Sequence, residues 1–132
     1  MRDRGTVIFE FCWETEKILE DNLYGILEYE NPKGRYIDIC VVCHKRDKNH
    51  TGKLIKLKRD LEKKYRVKLD VLYIPSSIFF EALSRMSGKL GKDAMQDQVR
   101  IYYNNSDFYQ FVLRSILDPD KRPQLKVEEY RL

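Results

Sequence analysis

Two aspartates stand out because of their surroundings. Asp38 is the only acid in Tyr36-Ile37-Asp38-Ile39-Cys40-Val41-Val42-Cys43, and Asp70 is the only acid in Lys68-Leu69-Asp70-Val71-Leu72-Tyr73-Ile74. A carboxylate set among apolar neighbours must be paired, hydrogen-bonded or bound to a cation, since burying it bare costs several kcal/mol. Two such acids on neighbouring strands could share a divalent ion, because Mg²⁺ takes one or two carboxylates together with substrate phosphates. Mg²⁺ is therefore the cofactor to expect if the pair is chemical. The structural alternative is that each acid sits at a strand end or pairs with a Lys or Arg.

The elements that would position these acids follow from pattern. Both runs look like central strands buried on both faces. Between them, Leu54, Leu57, Leu61 and Tyr65 step by three and four under a lysine-rich back, which predicts a helix over 53–65 capped by Thr51, with His44 to Gly52 a basic loop. Upstream, Val7, Phe11, Ile18 and Leu19 predict an amphipathic helix over about 6–20, although the strand formers at its start also allow a short strand. Leu23 to Glu30 alternates as a strand, and Asn31-Pro32-Lys33-Gly34 is turn chemistry. Pro75-Ser76-Ser77 opens a helix with Ile78, Phe79, Ala82, Leu83 and Met86 inward. Val99 to Tyr103 is an edge strand, and Phe108 to Leu117 a last helix. The alternation predicts an α/β or α+β fold: a mixed β-sheet with helices packed on it.

In order and spacing, residues of about 20–112 resemble the minimal nucleotidyltransferases of the DNA polymerase β superfamily. Leu23-Tyr24-Gly25-Ile26 resembles their Gly-Ser turn, the 34–42 run their Asp-x-Asp strand, 53–65 the intervening helix, and Val67 to Tyr73 the strand bearing a third acid. Val99-Arg100-Ile101-Tyr102-Tyr103 resembles their late strand. The resemblance implies metal-dependent nucleotidyl transfer, with Asp38 as a catalytic metal ligand, Asp70 as the catalytic third acid that helps activate the attacking hydroxyl, and Gly25 beside phosphate; the pairing of the two lone acids makes both candidate metal ligands. Two positions depart from the pattern: Ile26 stands where Ser would touch phosphate, and Tyr36 stands where the first acid would bind metal. The combination implies a degenerate member that binds a nucleotide or nucleic acid with weak or lost transfer.

Charge is unevenly spread along this chain of net charge +4: residues 10–30 sum to −6 and residues 44–68 to +8. The basic set Lys45, Arg46, Lys48 and Lys53 lies just past the Asp38 strand, so it is expected to form a phosphate-binding mouth beside Asp38. The acidic stretch 10–30 is the place for a protein partner; the plainer reading of both regions is solvated faces that pair in the fold. A restriction-endonuclease-like metal-dependent nuclease is a rival, with Glu28, Glu30, Asp38 and Lys45 as raw material, but its Glu-x-Lys motif is missing. A non-catalytic protein-interaction module is the other. Cys40-Val41-Val42-Cys43-His44 matches a haem-attachment string, yet cysteines three apart on a strand point to opposite faces. With 132 residues, 42% hydrophobic and 35% charged, three Cys and no long apolar run, the chain reads as one cytoplasmic domain without a membrane span, with 118–132 a loose tail or partner-binding strand.

Overall fold

The two apolar runs form adjacent strands. A computed structural model of the chain describes residues 4–29, 36–78, 99–103 and 130–132. Helix α1 (Arg4–Leu19) is followed by a 3₁₀ turn, then strands β1 (Leu23–Tyr29) and β2 (Tyr36–Cys43), helix α2 (Lys48–Tyr65), and strands β3 (Lys68–Pro75) and β4 (Val99–Tyr103). The four strands make one mixed sheet in the order β3-β2-β1-β4. Strand β2 is antiparallel to β1 and parallel to β3, and β4 lies antiparallel on the outer edge of β1. The β2–α2–β3 unit is the strand–helix–strand crossover that parallel pairing requires.

Period-two alternation sorts the sheet into two faces. Ile37, Ile39, Val41 and Cys43 of β2 join Leu69, Val71 and Tyr73 of β3 in the core beneath the helices, where Val7, Ile8 and Phe11 of α1 and Leu54 and Leu61 of α2 meet them. The opposite face carries Asp38, Cys40 and Val42 beside Asp70, Leu72 and Ile74. Its four apolar members are buried too. Both strands are therefore apolar on both faces, as strands of a covered sheet are, but only β2 is central; β3, expected to be central too, stands at the sheet's edge. Glu28 of β1 is the exception on the helix-facing side. It is 1% exposed and accepts a 2.7 Å charged hydrogen bond from Arg4 Nε, which ties the start of α1 to the sheet.

Helix α2 begins earlier than its apolar stripe suggests. Residues 48–52 are its first turn rather than a loop, and the cap is Asp47 rather than Thr51. The Asp47 carboxylate accepts from the Asn49 and His50 amides at 2.7 and 3.2 Å. Thr51 lies inside the helix, its hydroxyl donating to the Asp47 carbonyl at 3.0 Å. Lys48-Asn49-His50 offers no apolar periodicity, so the pattern began one turn late, while the cap chemistry recruits that turn. At the other end, Arg66 takes left-handed backbone (φ 54°) and its amide closes on the Glu62 carbonyl.

Residues 76–78 are helical, as Pro75-Ser76-Ser77 led one to expect. The remainder of that helix, the 31–34 turn and the 108–117 helix lie outside the described residues. The chain end is described again at Tyr130–Leu132, where Arg131 bridges Leu72 on the free edge of β3 and the Leu132 amide donates to the Val71 carbonyl at 2.8 Å. Among the described residues no helix is long and apolar enough to cross a membrane.

The Asn49 and His50 amides hold the Asp47 carboxyl below the usual carboxylate range. A lowered carboxyl pKa stabilises the fold above the unfolded-state pKa, and that contribution fades as pH falls through the folded one. Asp47→Ala should therefore lower the thermal midpoint at pH 7. The gap to the parent should close as pH drops below about 4, the ordinary aspartate pKa. Circular dichroism melts across pH 3–7 check it.

Candidate functional site

Strict register in the parallel pair decides the geometry. Tyr36 lies opposite Lys68, Ile37 opposite Leu69, and Asp38 opposite Asp70. Register neighbours on adjacent strands stand about 4.8 Å apart with side chains on one face. The two lone acids are thus neighbours, both half-buried, on the face away from α1 and α2.

Both acids are engaged. Arg131 Nη1 makes a short ion pair with Asp70 Oδ2, and Asp38 is engaged by a neighbour of its own. Tyr36, two residues before Asp38 on the same face and 51% exposed, stands beside Lys68. Among the described residues the patch brings together Asp38, Asp70, Tyr36, Lys68 and Arg131. Among the described residues no group of three or more His, Cys, Asp or Glu converges as a metal site would require. Asp38 and Asp70 are thus the carboxylates the register brings together, and Asp70 is shared with the Arg131 guanidinium.

Gly25 is not in a turn. It sits within β1, buried, opposite Val42, where the register slips between Leu23 and Gly25. Val42 is four residues along β2 from Asp38, or about 13 Å. The strand formers on either side carry the chain through the glycine as a strand irregularity, so no phosphate turn forms there.

The basic residues are also separated from the acids. Asp38 lies near the amino end of β2, whereas Lys45 and Arg46 leave its carboxyl end and Lys48 and Lys53 belong to the first turns of α2. Five residues of strand, about 16 Å, separate Asp38 from Cys43. A mouth of Lys45, Arg46, Lys48 and Lys53 beside Asp38 is therefore not present. The lysines instead form a pole of their own at the far end of the strand.

That pole is well braced. The Lys45 amide donates to Asn22 Oδ1 at 2.9 Å, and Asn22 Nδ2 donates to the Lys45 carbonyl at 2.7 Å. The His44 ring meets Tyr24 edge-on at 5.0 Å. Arg46 turns inward, its guanidinium 5.5 Å from both the Tyr73 and the Tyr130 ring centroids. The Tyr73 hydroxyl accepts from the Asp47 amide at 3.3 Å, and burial pushes its pKa upward, so it stays a neutral phenol. Lys45, Lys48 and Lys53 remain exposed.

Two sequence-level rivals fall on geometry. Glu28 is buried on the helix-facing side with Arg4, the opposite face from Asp38, so the two cannot share a nuclease site; Glu30 lies outside the described residues. Cys40 and Cys43 do point to opposite faces, and burial pushes the Cys40 thiol up to about 12, far from the thiolate that metal or haem chemistry needs. Arg131 and Tyr130 were invisible to sequence reasoning, because no local pattern links the chain end to strands some 60 residues earlier.

In three dimensions the chain is similar to a protein of known crystal structure from Shewanella oneidensis, with a TM-score of 0.54 and 13% identity over 87% of this chain and 85% of that one. It is similar also to a chain of the toxin–antitoxin MntA–HepT crystal structure, with a TM-score of 0.50 and 13% identity over 86% of this chain and 85% of that one. The fold is that of the minimal nucleotidyltransferases. No protein-family model matches the chain, and no curated protein matches it in sequence.

Arg131→Ala removes the guanidinium from Asp70 and leaves two neighbouring carboxylates. The variant should melt lower than the parent in EDTA and recover with millimolar Mg²⁺ or Mn²⁺, whereas the parent should respond little. Differential scanning fluorimetry with and without metal checks this.

Proposed function

We propose that this chain uses the minimal nucleotidyltransferase fold as a binding platform for a phosphate-bearing ligand, a nucleotide or a nucleic acid, and has lost efficient nucleotidyl transfer. The observation that carries the reading is the make-up of the Asp38–Asp70 patch. Tyr36 occupies the position of one expected carboxylate, and Arg131 neutralises Asp70. An electrostatic contact to a transition state is worth about 3 kcal/mol, so two such losses would slow transfer by about 10⁴-fold.

Ligand contact is assigned to the lysine pole rather than to the acids. Ligands of open α/β sheets bind beyond the carboxyl ends of the strands, which is where Lys45, Lys48 and Lys53 stand exposed. Arg46, packed between two tyrosines, braces the pole instead of reaching outward. A binding role also suits a fold that has been solved within a toxin–antitoxin complex.

The test is fluorescence anisotropy of a labelled single-stranded oligonucleotide and of a labelled adenosine triphosphate across a salt series. Lys45→Ala, Lys48→Ala and Lys53→Ala together should weaken binding of whichever ligand is held at least tenfold. For the oligonucleotide the log–log salt slope should shallow by about 2, near 0.7 per lost contact. Asp38→Asn should leave binding unchanged. Equal binding by the triple variant and the parent would contradict the assignment, as would loss of binding in the Asp38 variant.

A further inference from the structure

Helix α1 turns two large aromatic side chains to solvent. Phe9 is 67% and Trp13 53% exposed, although the same helix buries Val7, Ile8 and Phe11 beneath it. Their rings stack at 6.1 Å, and Lys17 places its ammonium 5.1 Å from the Trp13 ring. The three residues are four apart, so they form one continuous row along the helix. Two shallow clefts adjoin it. One, of about 420 Å³, is walled by Trp13, Glu16, Lys17, Glu20 and Asp21. The other, of about 400 Å³, is walled by Phe9, Trp13, Glu10 and Glu14 with Lys64 and Tyr65 of α2.

The acids of the two clefts differ. Glu10 is tied to α2 by Lys64 at 2.8 Å and by the Tyr65 hydroxyl, and Glu14 pairs loosely with Lys17 at 3.6 Å. None of the described cations pairs with Glu16, Glu20 or Asp21. An exposed aromatic row edged by unpaired like charge is costly to leave in water and marks an interaction surface.

We propose that the Phe9–Trp13 row is a docking surface for a protein partner that presents a basic amphipathic helix. Its apolar side chains would cover the two rings, and its Lys or Arg residues would answer Glu16, Glu20 and Asp21 and compete with Lys17 for the Trp13 face. Charge selects this occupant. A nucleic acid would meet the acidic rim. A second copy docking face to face would set each acidic cleft against its own likeness, since a two-fold interface repeats one patch on both sides. This surface involves neither the Asp38–Asp70 patch nor the lysine pole, so it stands or falls independently of ligand binding there.

Trp13 is the only tryptophan of the chain, so its emission reports the surface directly. The full chain is titrated with a synthetic helix carrying Leu at i, i+3, i+4 and i+7 and Lys elsewhere. The expected result is a saturable blue shift. Phe9→Ala and the pair Glu16→Lys with Glu20→Lys should each weaken it at least tenfold while circular dichroism and oligonucleotide binding stay as in the parent. Anisotropy of the dye-labelled peptide should give the same order of affinities and a similar loss for Trp13→Ala. Unchanged emission would overturn the proposal, and so would an equal shift with the Glu counterpart of the peptide or with an oligonucleotide. A concentration-dependent dimer in sedimentation that Phe9→Ala abolishes would assign the row to a second copy and overturn it as well.

Discussion

The in-register parallel pairing of β2 with β3 is the constraint on which the rest depends. A one-residue slip of either strand would turn its lone acid toward the helix-covered core, where a bare carboxylate is costly. The same register sets Asp38 beside Asp70. Like charges directly opposite each other on neighbouring strands disfavour the pairing. The fold answers with cations rather than with a convergent acid cluster. Arg131 reaches Asp70, and the chain end that carries it lies along β3 through the Leu72 bridge and the Leu132 amide. Asp38–Asp70 repulsion is thus relieved by a segment remote in sequence.

The strands and the central crossover were legible because their signals are short-range and redundant. A lone acid in an otherwise apolar octet marks a covered strand, and the Leu54–Leu61 stripe marks the helix between. Cap chemistry was ambiguous: both Asp47 and Thr51 can accept from an amide, and the apolar stripe favoured the later one. Gly25 misled because a glycine after Leu-Tyr has the composition of a phosphate turn, while only the pairing with Val42 reveals a strand irregularity. The basic mouth failed for a reason of length. Residues 38 and 45 are close in sequence, but an extended strand converts that interval into most of the width of the sheet. Exposure of Phe9 and Trp13 was hidden in a run of strand-forming residues whose helical phase only the packing of Val7, Ile8 and Phe11 decides.

These placements divide the molecule by charge. Asp38 and Asp70, with Arg131 on Asp70, lie at the amino ends of β2 and β3. Exposed lysines gather at the carboxyl end, over a frame of Asn22, Tyr73 and the Asp47 cap. Acidic groups and aromatic rings line α1. A transferase needs its metal-binding acids and its phosphate contacts within one coordination shell of each other. Asp38 and the end of β2 that leads into Lys45 lie about 16 Å apart along one strand.

The most direct test of retained fold with lost transfer is the fate of an α-labelled nucleoside triphosphate. The purified chain is incubated with each of the four labelled triphosphates and Mg²⁺ or Mn²⁺, alone and with protein and RNA acceptors, and acid-stable label is counted. The account predicts no transfer above that of an Asp38→Asn, Asp70→Asn double variant. Label transfer by the parent that the double variant abolishes would contradict it, and would make Asp38 and Asp70 a working catalytic pair despite Tyr36 and Arg131.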